Sequence, residues 1–193
     1  MEEVFIHEKI YEKINFSNNP LKKGEYENCS FINCNFENNS LSDIKFFDCR
    51  FIGCNLSLVN LSGTSFFGVQ FKECKMLGLR FDLCTDFGLT FSFDNCILSH
   101  SSFYGKKIRK TDFKNCQLIE VDFTDTDLSN SNFENSDLLR STFQNTLLEK
   151  TDFRTSFNFS IDPEANRIKR AKFSLSSIAG LLDKYDIDIE KTS

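Results

Sequence analysis

The chain has 193 residues, a formal net charge of −5, a pI near 5.2, 23 Phe, 8 Cys, 2 Pro and no Trp. That length suffices for one domain with a real core, and the acidic balance disfavours direct, sequence-independent binding to nucleic acid or to an anionic membrane surface. No apolar stretch approaches the roughly 20 residues needed to cross a bilayer as a helix.

The opening residues, MEEVFIHEKI, place acids where a secretory leader needs positive charge ahead of an apolar run. A cytoplasmic location is therefore expected, and mild acidity is common among bacterial cytosolic proteins. Residues 1–20 contain Phe5, Ile6, Ile10, Tyr11 and Ile14. They read as an N-terminal cap, either an amphipathic turn or an irregular first coil, and the pattern does not decide between them.

From residue 21 every fifth residue is apolar, running from Leu21, Tyr26, Phe31 and Phe36 to Phe81. After a slip of two the series resumes at Phe93 and continues to Phe153. Within it Phe31, Phe51 and Phe71 lie twenty apart, as do Phe93, Phe113, Phe133 and Phe153. Neither a helix nor an ordinary strand produces this period, which marks a solenoid of stacked turns. Two residues before each centre the chain is mostly small, as at Cys34, Cys54, Thr64, Cys96, Thr111, Ser131 and Thr151. One large and one small inward residue per five turn a corner at each pentapeptide, and four corners close a square coil. Successive coils then stack at roughly 4.8 Å with their backbones paired.

The cysteines follow the same rhythm, there is no CxxC pair, and only His7 and His100 accompany them. They read as small packing thiols rather than a disulfide framework or a metal site. No cofactor is expected either, because a glycine-rich phosphate loop is missing. No nucleophile, histidine and carboxylate fall into a catalytic arrangement.

The slip falls in residues 82–92, where two extra residues form a bulge that leaves the flanking columns in register. One coil later come Lys106, Lys107, Arg109 and Lys110, with Lys106 at a position that calls for a small inward residue. Phe87 with Lys107, Arg109 and Lys110 is a candidate contact. The repeats extend to Ala171 and Phe173. Residues 174–193 then read as a short helix, capped by Ser174 or Ser176, and a strand-like tail at Ile187–Glu190. The helix has an apolar face of Leu175, Ile178, Leu181, Leu182 and Tyr185.

Stretches such as Thr111-Asp112-Phe113-Lys114-Asn115, Thr126-Asp127-Leu128-Ser129-Asn130 and Ser136-Asp137-Leu138-Leu139-Arg140 resemble the pentapeptide-repeat family over about residues 21–173. The resemblance implies an all-β solenoid, a right-handed quadrilateral β-helix. The terminal LSSIAGLLDKYDIDI and the opening EKIYEKINF are similar to the Qnr-type quinolone-resistance proteins and their mycobacterial relative. That similarity implies a homodimer joined through Leu175, Ile178, Leu181, Leu182 and Tyr185. It also implies a DNA-mimicking rod that binds DNA gyrase or topoisomerase IV and modulates it or protects it from quinolones. The long loops of the best-known Qnr proteins are missing here.

Charge along the chain is uneven. Residues 118–157 hold Glu120, Asp122, Asp125, Asp127, Glu134, Asp137, Glu149 and Asp152 against Arg140, Lys150 and Arg154. Asp122, Asp125, Asp127, Glu134, Asp137 and Asp152 are therefore the expected partner-binding acids. A rod of roughly 36 Å is nonetheless a sparse copy of duplex DNA, which carries roughly 21 charges over that length. The alternative is a general interaction scaffold with an unrelated partner.

Overall fold

Two inward residues in every five, one large and one small, leave the chain no way to bury its apolar positions except by coiling around them. In a computed structural model, which describes residues 3–17 and 19–190, it does so as a parallel β-solenoid with four faces. On face 1, strands β1 (Val4–His7), β3 (Gly24–Glu27), β5 (Lys45–Phe47) and β7 (Ser65–Phe67) pair in parallel. On face 2 the order is β2 (Ile10–Glu12), β4 (Ser30–Ile32), β6 (Arg50–Ile52), β8 (Val69–Lys72), β9 (Phe91–Asp94) and β10 (Phe113–Lys114). Single bridges continue the ladders. Face 3 runs from Asn15 and Asn35 to Asp137 and Phe157, and the Arg80, Ser102, Asp122 and Thr142 bridges lie on face 4. The coil thus begins at Val4, where β1 pairs with β3.

Every repeat centre from Tyr26 to Phe153 is buried. On face 2 the rings stack from Tyr11 to Phe173 at centroid separations of 4.6 to 5.3 Å. The Phe column of face 4 meets them edge-on, Phe103 and Phe113 crossing at 85°, an arrangement the ring quadrupole favours.

The small residues do more than leave room. Thr64 Oγ1 donates to Leu41 O at 2.8 Å, and Thr126, Thr146 and Thr151 donate in the same way to Phe103, Phe123 and Leu128 at 2.9 Å. The thiols of Cys34, Cys54 and Cys74 do the same to Tyr11, Phe31 and Phe51. Most inward hydroxyls and thiols therefore tie their coil to the one before, Thr111 and Ser156 bonding within their own coil instead, and among the described residues no buried side-chain nitrogen or oxygen lacks a partner. All eight cysteines are free and buried, and burial pushes the Cys49 thiol up to about 12.

Corners form two residues after each centre, where the backbone turns left-handed. Asn, Asp and Gly, the residues that tolerate this best, occupy most of these sites. Asn28, Asn33, Asp43, Asp48, Asn95, Asn115, Asp125 and Asn130 adopt φ between 49° and 63°.

The slip at residues 82–92 appears as a three-residue 3-10 turn, Phe81–Leu83, followed by an outward excursion with Phe87 93% exposed at its tip. The regular face 1 ladder stops at β7 and resumes with the Lys107 to Asp127 bridge. Phe91 turns inward against Phe66 and Phe81, while Phe71 and Phe93 remain stacked at 5.3 Å.

The C-terminal segment departs from its sequence reading. In place of one capped helix there are two 3-10 turns, η1 (Ile178–Leu181) and η2 (Asp183–Tyr185). Neither Ser174 nor Ser176 caps them: Ser177 precedes η1 without a side-chain cap bond, and the serine hydroxyls bond one another. Residues 187–190 pair with no strand among the described residues. The segment folds back on the last coil instead. Ile161 N donates to Gly180 O at 2.9 Å, and Lys184 Nζ lies 2.7 Å from Asp162 and 2.6 Å from Glu164. A Cβ on residue 180 would stand 2.2 Å from Phe159 O, so only glycine permits this approach.

Candidate interaction surfaces

The six acids singled out by sequence are distributed around the rod. Asp122 and Asp125 lie on face 4 and its following corner, Asp127 on face 1, Glu134 and Asp152 on face 2, and Asp137 on face 3. They form a belt instead of a patch, because a stretch of forty residues winds twice around a square coil.

Many are also structurally engaged. The residue before each centre is the one whose side-chain oxygen can accept the N–H two residues on, closing an Asx turn. Asp122 accepts Thr124 N at 2.9 Å, Asp127 accepts Ser129 N at 3.1 Å, Asp137 accepts Leu139 N at 3.1 Å and Asp152 accepts Arg154 N at 3.1 Å. These aspartates hold corners before they do anything else.

Asp127 is the plain correction. It is buried, and Arg109 Nε donates to its Oδ2 at 2.6 Å. Burial pushes its carboxyl up, but the bonds from Ser129 and Arg109 more than offset this and leave it below the ordinary range. It therefore presents no free carboxylate, and Arg109, though exposed, is the paired cation of the basic spot. Asp152 lies 2.7 Å from Arg154 and 3.4 Å from Lys172, and Arg154 beside it lowers its pKa to about 2. Glu134 stands 4.0 Å from Lys114. Among the described residues Asp122, Asp125 and Asp137 have no cation within 4 Å.

The Asp152 contacts set a pH dependence. Its folded pKa lies below the ordinary aspartate value of about 3.9, so its stabilisation is present above that value and is lost as pH falls towards 2. The difference in urea midpoint between wild type and Asp152→Asn should be largest at pH 5 and shrink towards pH 2. A difference that stays constant over that range would show that the carboxylate's charge is not what the arginine senses.

The bulge is built around Lys106. Its side chain is 8% exposed, and its Nζ donates to Cys84 O at 2.7 Å and to Asp86 Oδ1 at 2.6 Å. The lysine that breaks the small-residue rule thus reaches one coil back and anchors the excursion. Thr85 N to Thr64 O, Thr90 N to Phe66 O and Gly68 N to Thr90 Oγ1 complete the anchorage. Phe87 is carried outward, and the neighbouring Gly88 lies against the exposed Phe67, whose ring would stand 2.9 Å from a Cβ at position 88.

In the C-terminal segment, Leu181 packs against the core and Leu182 is half-buried, whereas Leu175, Ile178 and Tyr185 are exposed, Leu175 to 85%. The five residues expected to join two chains therefore divide into those that seat the segment and those that face outward.

No group of three or more metal-ligating side chains occurs among the described residues. His100 is exposed and lies 3.2 Å from Glu120. No helix among the described residues is long and apolar enough to cross a membrane.

A sequence-family model described as a pentapeptide repeat region matches residues 25–92 and 85–153. No curated protein matches the chain in sequence. Among solved structures, a trypsin-treated variant of QnrB1, described as a plasmid-mediated fluoroquinolone resistance protein, matches with a TM-score of 0.64 at 16% identity, covering 97% of this chain and 98% of its own. The full-length form matches with a TM-score of 0.61 at 15% identity, over 95% of this chain and 100% of its own. At such identity the likeness is one of fold.

Proposed function

The chain belongs to the pentapeptide-repeat family, and on that premise we propose that it is a non-enzymatic binding protein that engages a type II topoisomerase, DNA gyrase or topoisomerase IV. Binding would modulate the enzyme or shield it from quinolones. The observation that carries this reading is the end-to-end likeness of fold to a fluoroquinolone resistance protein. The interior supports binding over catalysis, because its hydroxyls and thiols are bonded to backbone carbonyls of the ladder.

The DNA-like surface is narrower than the acidic count implies. Asp122 and Asp125, neighbours on face 4, are its strongest element, with Asp137 beyond the corner. Attraction through so few charges weakens as salt rises. A supercoiling assay tests the proposal: the protein should inhibit gyrase or topoisomerase IV, or restore activity in the presence of a fluoroquinolone. Purified protein that leaves both enzymes unchanged, with and without drug, would remove the proposal. The scattering and partial neutralisation of the acids favour a second reading, a scaffold for an unrelated partner, and that result would select it. A cytoplasmic setting in a bacterium follows from the proposed partner.

Two chains would join tail to tail through Leu175, Ile178 and Tyr185, whose exposed apolar surface supports the contact. Leu175→Asp with Ile178→Asp should convert a dimer to a monomer in sedimentation velocity without lowering the melting temperature. Identical sedimentation of variant and wild type would count against this joint.

A further inference from the structure

Winding the chain on four faces gathers a basic patch that no stretch of the sequence displays. Asp127 stands directly between Lys107 and Leu147 in the ladder of face 1, and Arg167 follows Leu147. Lys110, Asn130, Lys150 and Arg170 occupy the left-handed corner that ends this face on successive coils. Arg109 and Lys169 lie between the two columns. Lys107, Arg109, Lys110, Lys150, Arg167, Lys169 and Arg170 are all exposed. The patch holds seven cations against Asp127 and Glu149, or +5 in a chain of net charge −5, which leaves −10 for the rest. Four rungs, separated by three steps of roughly 4.8 Å, give it a length of about 14 Å.

Its cations are also unusual in being unengaged. Elsewhere Lys45, Arg80, Lys114, Arg140, Arg154, Lys172 and Lys184 each lie within 4 Å of a carboxylate, and the cations without one among the described residues, Lys9, Lys22, Arg50 and Lys75, are scattered through the first half of the chain. In the patch only Arg109 has such a partner. Lys107, Lys110, Lys150, Arg167, Lys169 and Arg170 have none among the described residues. Lys150 and Arg170, one rung apart at the corner, repel one another, and an anionic ligand relieves that repulsion.

We propose that this face binds the phosphate backbone of duplex DNA without regard to sequence. A protein partner would need apolar or aromatic anchors at the centre of its contact. Here the outward residues between the cations are Ser129, Asn130, Glu149 and the half-buried Leu147. Cations with interspersed hydroxyl and amide groups are the chemistry that contacts phosphate oxygens, and a ladder held in register over four coils presents them in rows to a polyanion. A duplex of about 14 Å presents roughly eight phosphate charges, enough to meet every free cation. The cations gather towards the Lys110 corner of face 1, whereas Asp125 stands at the opposite corner, which face 1 shares with face 4, so binding there leaves Asp122 clear to engage a protein.

The test is fluorescence anisotropy with a labelled duplex of arbitrary sequence, using wild type and the variant Lys107→Glu, Lys150→Glu, Lys169→Glu, Arg170→Glu. All four residues are exposed and unpaired, and a thermal melt checks that the variant keeps its fold. Wild type should bind at low salt with log K falling against log salt at a slope of about −4 to −5, and the variant should bind at least tenfold more weakly. Absence of wild-type binding at low salt overturns the proposal, as does equal binding by the variant. If the duplex is ignored but the variant loses affinity for a topoisomerase, the face is a site for an acidic protein surface and the DNA assignment is wrong. Topoisomerase binding is measured separately, so the two readings fail independently.

Discussion

Phe113→Ala should lower the stability of the solenoid by about 3 to 5 kcal/mol, the range for removing a buried phenylalanine. Phe113 is fully buried, stacked at 5.2 Å on Phe93 and 4.9 Å on Phe133, and met edge-on by Phe103 and Phe123. The site has little room to collapse, because coils above and below are fixed by backbone bonds such as Phe113 N to Asn132 O and Phe93 N to Asp112 O. Urea unfolding gives the loss directly. A variant with wild-type stability would mean that this column does not form the interior.

Lys106 carries the second large effect. Lys106→Ala removes the buried aliphatic stem, at about 0.8 kcal/mol per methylene, and leaves Cys84 O without its donor, at about 1 to 3 kcal/mol. A total loss of about 3 to 5 kcal/mol is expected. Lys106→Met keeps most of the volume and should lose only the part due to the orphaned carbonyl. Because Asp86 is exposed, it regains water and adds little. Amide exchange should locate the damage: Thr85 and Thr90, whose N–H groups tie the bulge to Thr64 O and Phe66 O, lose protection first, while Phe113 keeps its own. Equal stability of the Ala, Met and wild-type proteins would show that the bulge stands without the lysine.

The interior was legible in the sequence because a repeat writes the same physical demand many times over. Phe31, Phe51 and Phe71 each need the ring below, and Cys34, Cys54 and Cys74 each need a carbonyl one coil back. A single copy carries little information, but the periodic set leaves one way to fold. The step of 22 between Phe71 and Phe93 likewise located the excursion. The role of Lys106 was not legible, since nothing in the pattern states that a lysine will reach back to the preceding coil.

Surface chemistry was read less well, for a geometric reason. Charges were grouped along the chain, whereas the solenoid groups them by twenties. Asp122, Asp127, Asp137 and Asp152 look contiguous in sequence and face different directions in space, while Lys110, Lys150 and Arg170 are forty and twenty residues apart and share a corner. Folding the charges on the period of the phenylalanines would have shown both. The Asx turns were also readable, from aspartate or asparagine before the centre and Asn, Asp or Gly two residues after it. The tail was the least legible part, because residues 174–186 have no repeat to constrain them and their 3-10 turns depend on Gly180 meeting Phe159.

The most direct measurement is binding of DNA gyrase or topoisomerase IV by the wild-type protein and by Asp122→Lys, Asp125→Lys, in competition with linear duplex DNA. Asp125 is exposed and Asp122 half-buried, and neither belongs to an ion pair among the described residues; because lysine at 122 forfeits the bond from Thr124 N, a thermal melt accompanies the binding assay. Wild type should bind the enzyme and be displaced by DNA, the displacement persisting when the four face 1 cations are reversed so that DNA competes only for the enzyme, and the Asp122→Lys, Asp125→Lys variant should lose at least tenfold in affinity. Wild-type binding that DNA does not disturb, or equal binding by the variant, would contradict an acidic surface acting in place of DNA.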